Sequence, residues 1–284
     1  MSEANRDDRE RANCDIVVVD DGRAFALPDE VAVEQPLEIR LATPERTTQL
    51  AVTMRTPGND RELAAGFLFS EGLVRSASEV VRIDEGSEAR NGSKIDFVRV
   101  TVNVDAGETT SRLERHFFAS SACGVCGKTD MEAVVLGKIV ERRDGPRVDA
   151  AVLYELPQRL AAAQGVFAAT GGLHAAALFT PAGECLAVRE DVGRHNALDK
   201  LIGWALLEGR IPLHEAIVMV SGRASFELVQ KCSMAEAPVL CAVSAPSSMA
   251  VSFARRLGLT LVGFLRGRRF NVYAGAERIV TRES

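Results

Sequence analysis

From Ile16 onward, short apolar runs alternate with polar turns, and the spacing of those runs changes partway along the chain. In the first part, "IVVVD" (16–20), "AVEQPLEIRL" (32–41) and "QLAVTMR" (49–55) have the length and apolar content of strands, punctuated by Pro36 and Pro44. "TPGNDRELAAGFLFSEGLV" (56–74) reads as a turn and a helix. Asn59 or Asp60 can cap it, Leu63, Phe67 and Leu68 share a face, and Gly72 can close it. "EVVRIDEGSEARNGSKIDFVRVTVNV" (79–104) is two strands around a polar hairpin loop.

From Tyr154 the period lengthens. A helix ends at Gly171, a hairpin with a Pro-Ala-Gly turn spans 174–191, and a helix follows with Leu198, Leu201, Ile202 and Leu206 on one face. Strand 216–222, helix 225–237, strand 239–245, helix 247–258 and strand 259–267 then alternate. Strands alternating with helices of about a dozen residues predict βαβ units and a largely parallel sheet. The expected organisation is a two-domain α/β protein. A polar tail (1–13) precedes a small α+β domain (14–110), a segment with a Cys-x-x-Cys pair and connector (111–150), and an α/β domain (151–284).

Ligands of such sheets bind beyond the carboxyl ends of the strands. Three predicted strand exits carry small or polar residues: "VSGRAS" (220–225), "VSAPSS" (243–248) and "FLRGRR" (264–269). Two lead into helices, whose free N–H groups favour an anion. In the first exit Ser221, Gly222, Arg223 and Ser225 could grip a phosphate or a base, or form a plain turn. In the third, Arg266, Arg268 and Arg269 repel one another unless an anion or acidic partner offsets them. "REDVGRHNALDK" (189–200) gathers Asp191, Arg194, His195, Asn196, Asp199 and Lys200 at the mouth of a helix, as a binding cluster or a solvated first turn. His174, among small apolar residues, reads as a core histidine, and Cys232 and Cys241 as small buried hydrophobes.

Composition narrows the partners. The 284 residues are 46% hydrophobic and 26% charged, a soluble globular profile. A net charge of −5 argues against a general nucleic-acid binder, so any anion needs a local site. No run reaches about 18 apolar residues, so no membrane span is expected. The charged N-terminus has no secretory h-region, and the expected location is the cytoplasm, where thiols stay reduced.

Cys123 and Cys126, in "SSACGVCGKTD" (120–130), are therefore read as chemical rather than structural. A structural zinc site needs four ligands, whereas Cys14, Cys185, Cys232 and Cys241 are scattered. His116 offers only an odd His/Cys/Cys set, and no metal site is expected. A redox motif belongs at a strand-to-helix junction, yet this pair follows a complete domain. A thiol on a mobile segment can accept sulfur as a persulfide, with Arg115, His116 and Lys128 near enough in sequence to favour thiolate.

"TPGNDRELAAGFLFSEGL", "SSACGVCGK", "TGGLHAAAL", "EDVGRHNALDKLIG", "SGRASFELVQK" and "FLRGRR" together resemble the FdhD family of formate dehydrogenase accessory sulfurtransferases, over residues 30 to 275. The resemblance implies a cytoplasmic sulfurtransferase. A cysteine desulfurase would load Cys123 as a persulfide, with Cys126 as its partner. The sulfur would pass to the molybdenum of a bis(molybdopterin guanine dinucleotide) cofactor destined for formate dehydrogenase. By the same resemblance Phe264, Leu265, Arg266, Gly267, Arg268 and Arg269 hold the cofactor, and the protein is a homodimer. The second domain would have the three-layer fold of cytidine deaminases, with "RHNAL" and "SGRAS" in the places of their zinc elements. The glutamate and cysteines of those elements are missing, so the pocket would take the guanine nucleotide instead of zinc. Ser221, Gly222, Arg223, Arg194, His195, Asn196 and Lys200 complete the expected site. A cofactor chaperone that moves no sulfur and a thiol-disulfide oxidoreductase remain as other readings.

Overall fold

The computed structural model describes residues 10–90, 92–103 and 145–281. Its first element is an antiparallel ribbon of β1 (Arg11–Asp20) and β2 (Arg23–Ala32). The expected tail thus ends sooner, because Arg11, Ala12 and Asn13 pair with Ala32, Val31 and Glu30. Val17, Val19, Phe25 and Leu27 on this ribbon are exposed.

β3 (Gln35–Ala42), β4 (Thr47–Arg55), β5 (Val80–Arg90) and β6 (Ser93–Val102) form a sheet in the order β4-β3-β6-β5, with β3 and β6 parallel. Leu37, Ile39 and Leu41 alternate inward along β3, as do Val98, Val100 and Val102 along β6. Helix α1 (Asp60–Ser70) buries Leu63, Ala64, Ala65, Leu68 and Phe69. Neither expected cap forms. Asn59 sits at the N-cap in the left-handed region without a side-chain cap bond, and Asp60 instead accepts from Arg55 at 3.0 and 2.8 Å. Gly72, at φ 70°, makes the expected turn after the helix.

The second part holds β7 (Val148–Asp149), α2 (Ala150–Ala162), α3 (Gly165–Thr170), β8 (His174–Phe179), β9 (Cys185–Asp191) and α4 (Arg194–Leu207). Then come β10 (Ile217–Val220), α5 (Phe226–Met234), β11 (Val239–Ala242), α6 (Ser248–Leu257), β12 (Thr260–Arg266), β13 (Arg269–Ala274) and β14 (Ile279–Val280). Six strands make one sheet in the order β13-β12-β11-β10-β8-β9, while β14 pairs with β7. The sheet is mixed, a correction to the largely parallel expectation. Only β10, β11 and β12 run parallel, because β8–β9 and β12–β13 are hairpins. Both faces are buried. Ala176, Leu178, Val218, Val220, Leu240 and Ala242 face one side with α4, α5 and α6 residues, and Ala177, Phe179, Met219, Val239, Cys241 and Leu265 face the other with α2 residues.

One hydrophobic cluster runs without a break from β3 and β6 through α1 and α4 to the six-stranded sheet, so the two expected domains share a core. The join is a crossing of two glycines. A methyl group on Gly66 would lie 1.8 Å from the Asp199 carbonyl oxygen, and one on Gly203 would lie 1.8 Å from that of Glu62. Nothing larger than hydrogen fits. Arg189 reinforces the join by donating from Nη2 to Glu62 at 2.8 Å.

Candidate functional site: a cationic rim at the strand ends

The three parallel strands end together, and hydrogen bonds tie their exits into one rim. Ser221 bonds to β8 through both its backbone N–H, which donates to Ala175 O at 2.9 Å, and its Oγ, which accepts from Ala175 N at 2.9 Å. Ala224 N donates to Ala245 O at 3.2 Å, and Ser247 N donates back to Ala224 O at 3.0 Å. Phe264 N reaches Ser244 O at 3.2 Å, and Arg266 Nε reaches Val243 O at 3.0 Å. Phe264 adopts φ 53°, a left-handed conformation that a side chain adopts rarely, and its ring is 41% exposed.

Gly222 is the cradle. A Cβ there would come within 3.2 Å of His174 Nδ1 and 3.9 Å of Arg194 Cδ, so a side chain would crowd this approach. Arg194 begins α4, and its Nε is buried without a hydrogen-bond partner. A buried donor of that kind carries a desolvation penalty that an incoming acceptor would remove. Burial, then the charges of Arg194 and Arg223, hold His174 below the ordinary histidine range. Burial and Arg194 push His195 the same way, while its Nε2 lies 3.2 Å from Ser225 Oγ. Arginines, a glycine cradle and helix N-termini at one place suit a phosphate or pyrophosphate.

The structure sorts the expected residues. Ser221, Gly222, Arg223 and Arg194 converge on this rim, which Phe264, Arg266 and Gly267 continue. Three expected ligands do not fit that role. Leu265 is fully buried in the core against the α2 face, on the side of Val262, where the irregularity of β12 between Gly263 and Arg266 places it. Lys200 is also buried, and its Nζ is used by Asp191 Oδ2 at 2.8 Å, Thr56 O at 2.8 Å and Glu190 O at 3.2 Å. Asn196 clamps β4 to α4, donating to Met54 O at 2.8 Å and Asp191 Oδ1 at 3.0 Å. The arginine trio also divides, since Arg268 stacks over Tyr154 of α2 at 5.4 Å and Arg269 pairs with Arg266 across the β12–β13 hairpin. His174 was the residue missed: a histidine opening a strand faces the sheet end, and that position was its one signal.

Cys232 and Cys241 are fully buried as expected, with burial pushing the Cys232 thiol up to about 12. Cys123 and Cys126, with Arg115, His116 and Lys128, lie outside the described residues. Among the described residues no group of His, Cys, Asp and Glu could hold a metal ion, and no helix is long and apolar enough to cross a membrane.

Fold and rim together define a mixed α/β protein with a cationic edge at the ends of its parallel strands. The chain belongs to the FdhD/NarQ family, whose match covers residues 32–280. It is 50% identical over 273 residues to a sulfur carrier protein FdhD from Streptomyces avermitilis, covering 94% of this chain and 95% of that protein. A sulfur carrier protein FdhD from Saccharolobus solfataricus is 42% identical over 265 residues, covering 93% and 96%. Among solved structures, a candidate formate dehydrogenase accessory protein from Desulfotalea psychrophila aligns with a TM-score of 0.73 and 25% identity, over 95% of this chain and 100% of that one.

Proposed function

We propose that this protein is a cytoplasmic sulfurtransferase of the formate dehydrogenase maturation route. A cysteine desulfurase loads Cys123 with a persulfide, and the sulfur passes to the molybdenum of a bis(molybdopterin guanine dinucleotide) held at the strand-end rim. Family membership and the names of the relatives support the sulfur-carrying half of this reading. The observation that carries the binding half is the rim itself: the orphaned Arg194 Nε beside the Gly222 cradle, flanked by Arg223 and Arg266. In this reading Arg194 and Arg223 take a phosphate oxygen of the cofactor, and the exposed Phe264 ring offers a face to its guanine. Cys126 stands by as a resolving thiol: its thiolate attacks the inner sulfur of the Cys123 persulfide, a Cys123–Cys126 disulfide forms, the outer S–S bond breaks, and the outer sulfur leaves as hydrosulfide. The mature form is a homodimer.

The test is the mass of the protein after incubation with a cysteine desulfurase and cysteine, without reductant. One added sulfur on the peptide carrying Cys123, absent from Cys123→Ala, supports the sulfur-carrying step. Normal binding of guanosine diphosphate with no added sulfur would sink it and leave a cofactor chaperone. A reversible Cys123–Cys126 disulfide that forms without a desulfurase would point to an oxidoreductase.

A further inference from the structure

The β1–β2 ribbon rests on α3 at its base, where Ala32 meets Gly172. Its outer half stays exposed. Val17 and Val19 are 68% and 69% accessible, and Phe25 and Leu27 are 44% and 46%. A two-stranded ribbon by itself is marginally stable in water, and it gains stability when a face is packed. The register sorts the residues between the two faces. Val18 pairs with Phe25 and Ile16 with Leu27, on either side of the Val17–Ala26 pair. Alternation therefore gathers Ile16, Val18, Phe25 and Leu27 into one apolar block on one face. Charges bracket that block on the same face of β2. Arg23 lies two residues beyond Phe25 on the tip side, Asp29 lies two residues beyond Leu27 on the base side, and both are exposed.

The resulting pattern, Arg-x-Phe-x-Leu-x-Asp, is complementary to itself run backwards about Ala26. From this self-complementarity we infer that the face is the contact between two copies of this chain, with their ribbons packed antiparallel about a two-fold axis at the level of the Val17–Ala26 pair. The inference rests on the homodimer of the proposed function and deepens it by assigning its interface. Turning one ribbon end over end at that level lays Phe25 of one copy on Leu27 of the other, and Ile16 on Val18. Arg23 of one copy then faces Asp29 of the other. Every contact is made twice, as an isologous interface requires. At about 3.4 Å per residue the charges stand about 10 Å either side of the centre, so they form a polar rim around an apolar core. Binding to a different protein would require no such symmetry of pattern.

Sedimentation equilibrium of the whole protein reads the association. The parent is expected to be a dimer. Leu27→Glu changes an exposed position and leaves the buried core alone, so its circular dichroism spectrum should match that of the parent. The loss of an interface anchor is worth about 30-fold in affinity, and this one is lost from both copies, so the dissociation constant should rise on the order of a thousandfold. Arg23→Asp and Asp29→Arg should each weaken the dimer about tenfold, the scale of two exposed ion pairs turned repulsive. The double variant Arg23→Asp/Asp29→Arg should restore it, since the exchanged charges again oppose one another. Val52→Glu, at an exposed apolar position of β4, should leave the dimer intact. A dimer that survives Leu27→Glu, or one that Val52→Glu abolishes, would overturn this interface and leave the homodimer standing. A double variant no tighter than the single ones would overturn the antiparallel register. A monomeric parent would overturn both the interface and the homodimer, and leave the ribbon to a different protein.

Discussion

Replacing Gly203 by alanine tests whether the two sheets share one core. The new methyl would sit 1.8 Å from the Glu62 carbonyl oxygen and 2.8 Å from Gly66 N, both backbone atoms of α1 that no rotamer change can move. An ordinary carbon–oxygen contact is about 3.3 to 3.6 Å, so α1 and α4 must separate by about 1.5 Å. That separation would loosen Leu63, Leu68, Leu198 and Ile202, which pack in the same cluster. Overpacking of this kind costs about 1–3 kcal/mol and occasionally more, against about 1 kcal/mol that alanine gains in helix propensity. Because the obstacle is backbone on both sides, the upper end applies, and a net loss of about 2 kcal/mol or more is expected. Urea unfolding followed by far-ultraviolet circular dichroism reads this as a lower midpoint. Gly165→Ala at the start of α3, where nothing lies within 4 Å of the new methyl, should be neutral or slightly stabilising. A Gly203→Ala protein as stable as the parent would refute the shared-core reasoning.

Four further outcomes follow. Lys200→Met strands the buried Asp191 carboxylate and should cost about 3–5 kcal/mol in a denaturant titration, which would be far too large for a surface ligand. An anion on the rim favours protonated His174, so affinity for guanosine diphosphate should rise as pH falls from about 8 to 6, and His174→Phe should reduce that slope. The sign for folding is opposite. His174 has a folded-state pKa below 6.5, so the folded state binds fewer protons than the unfolded one, and stability is expected to fall as pH drops below that value. Finally, Cys232 and Cys241 should resist a thiol reagent in the native Cys123→Ala/Cys126→Ala protein and react once it is unfolded.

Much of this architecture is legible in local pattern. The helices and strands from Tyr154 onward carry clear periodicity, and the rim was found because small and cationic residues follow three apolar runs. Strand β2 escaped because Pro28, Asp29 and Glu30 interrupt its alternation, and the partner that orders it, β1, lies across a two-residue turn. Charge alone misassigned Lys200: a lysine beside an aspartate at a helix mouth looks the same whether it meets a ligand or a buried carboxylate. Leu265 was drawn in by its arginine neighbours, and the irregularity of β12 that buries it between Gly263 and Arg266 has no periodic signal. The glycine crossing depends on contacts between residues more than a hundred positions apart, which no sequence window contains.

The short β7–β14 pair also bears on the order of assembly. Val148 opens the second part of the chain, yet its partner is Ile279, near the far end. A contact that spans so much sequence closes late, since loop closure must precede its reward. During synthesis, β1 and β2 can zip locally as soon as both are made. The segment leading into α2 must instead wait for residues 279–280. This pair therefore ties the entry of the second part of the chain to one of its last strands.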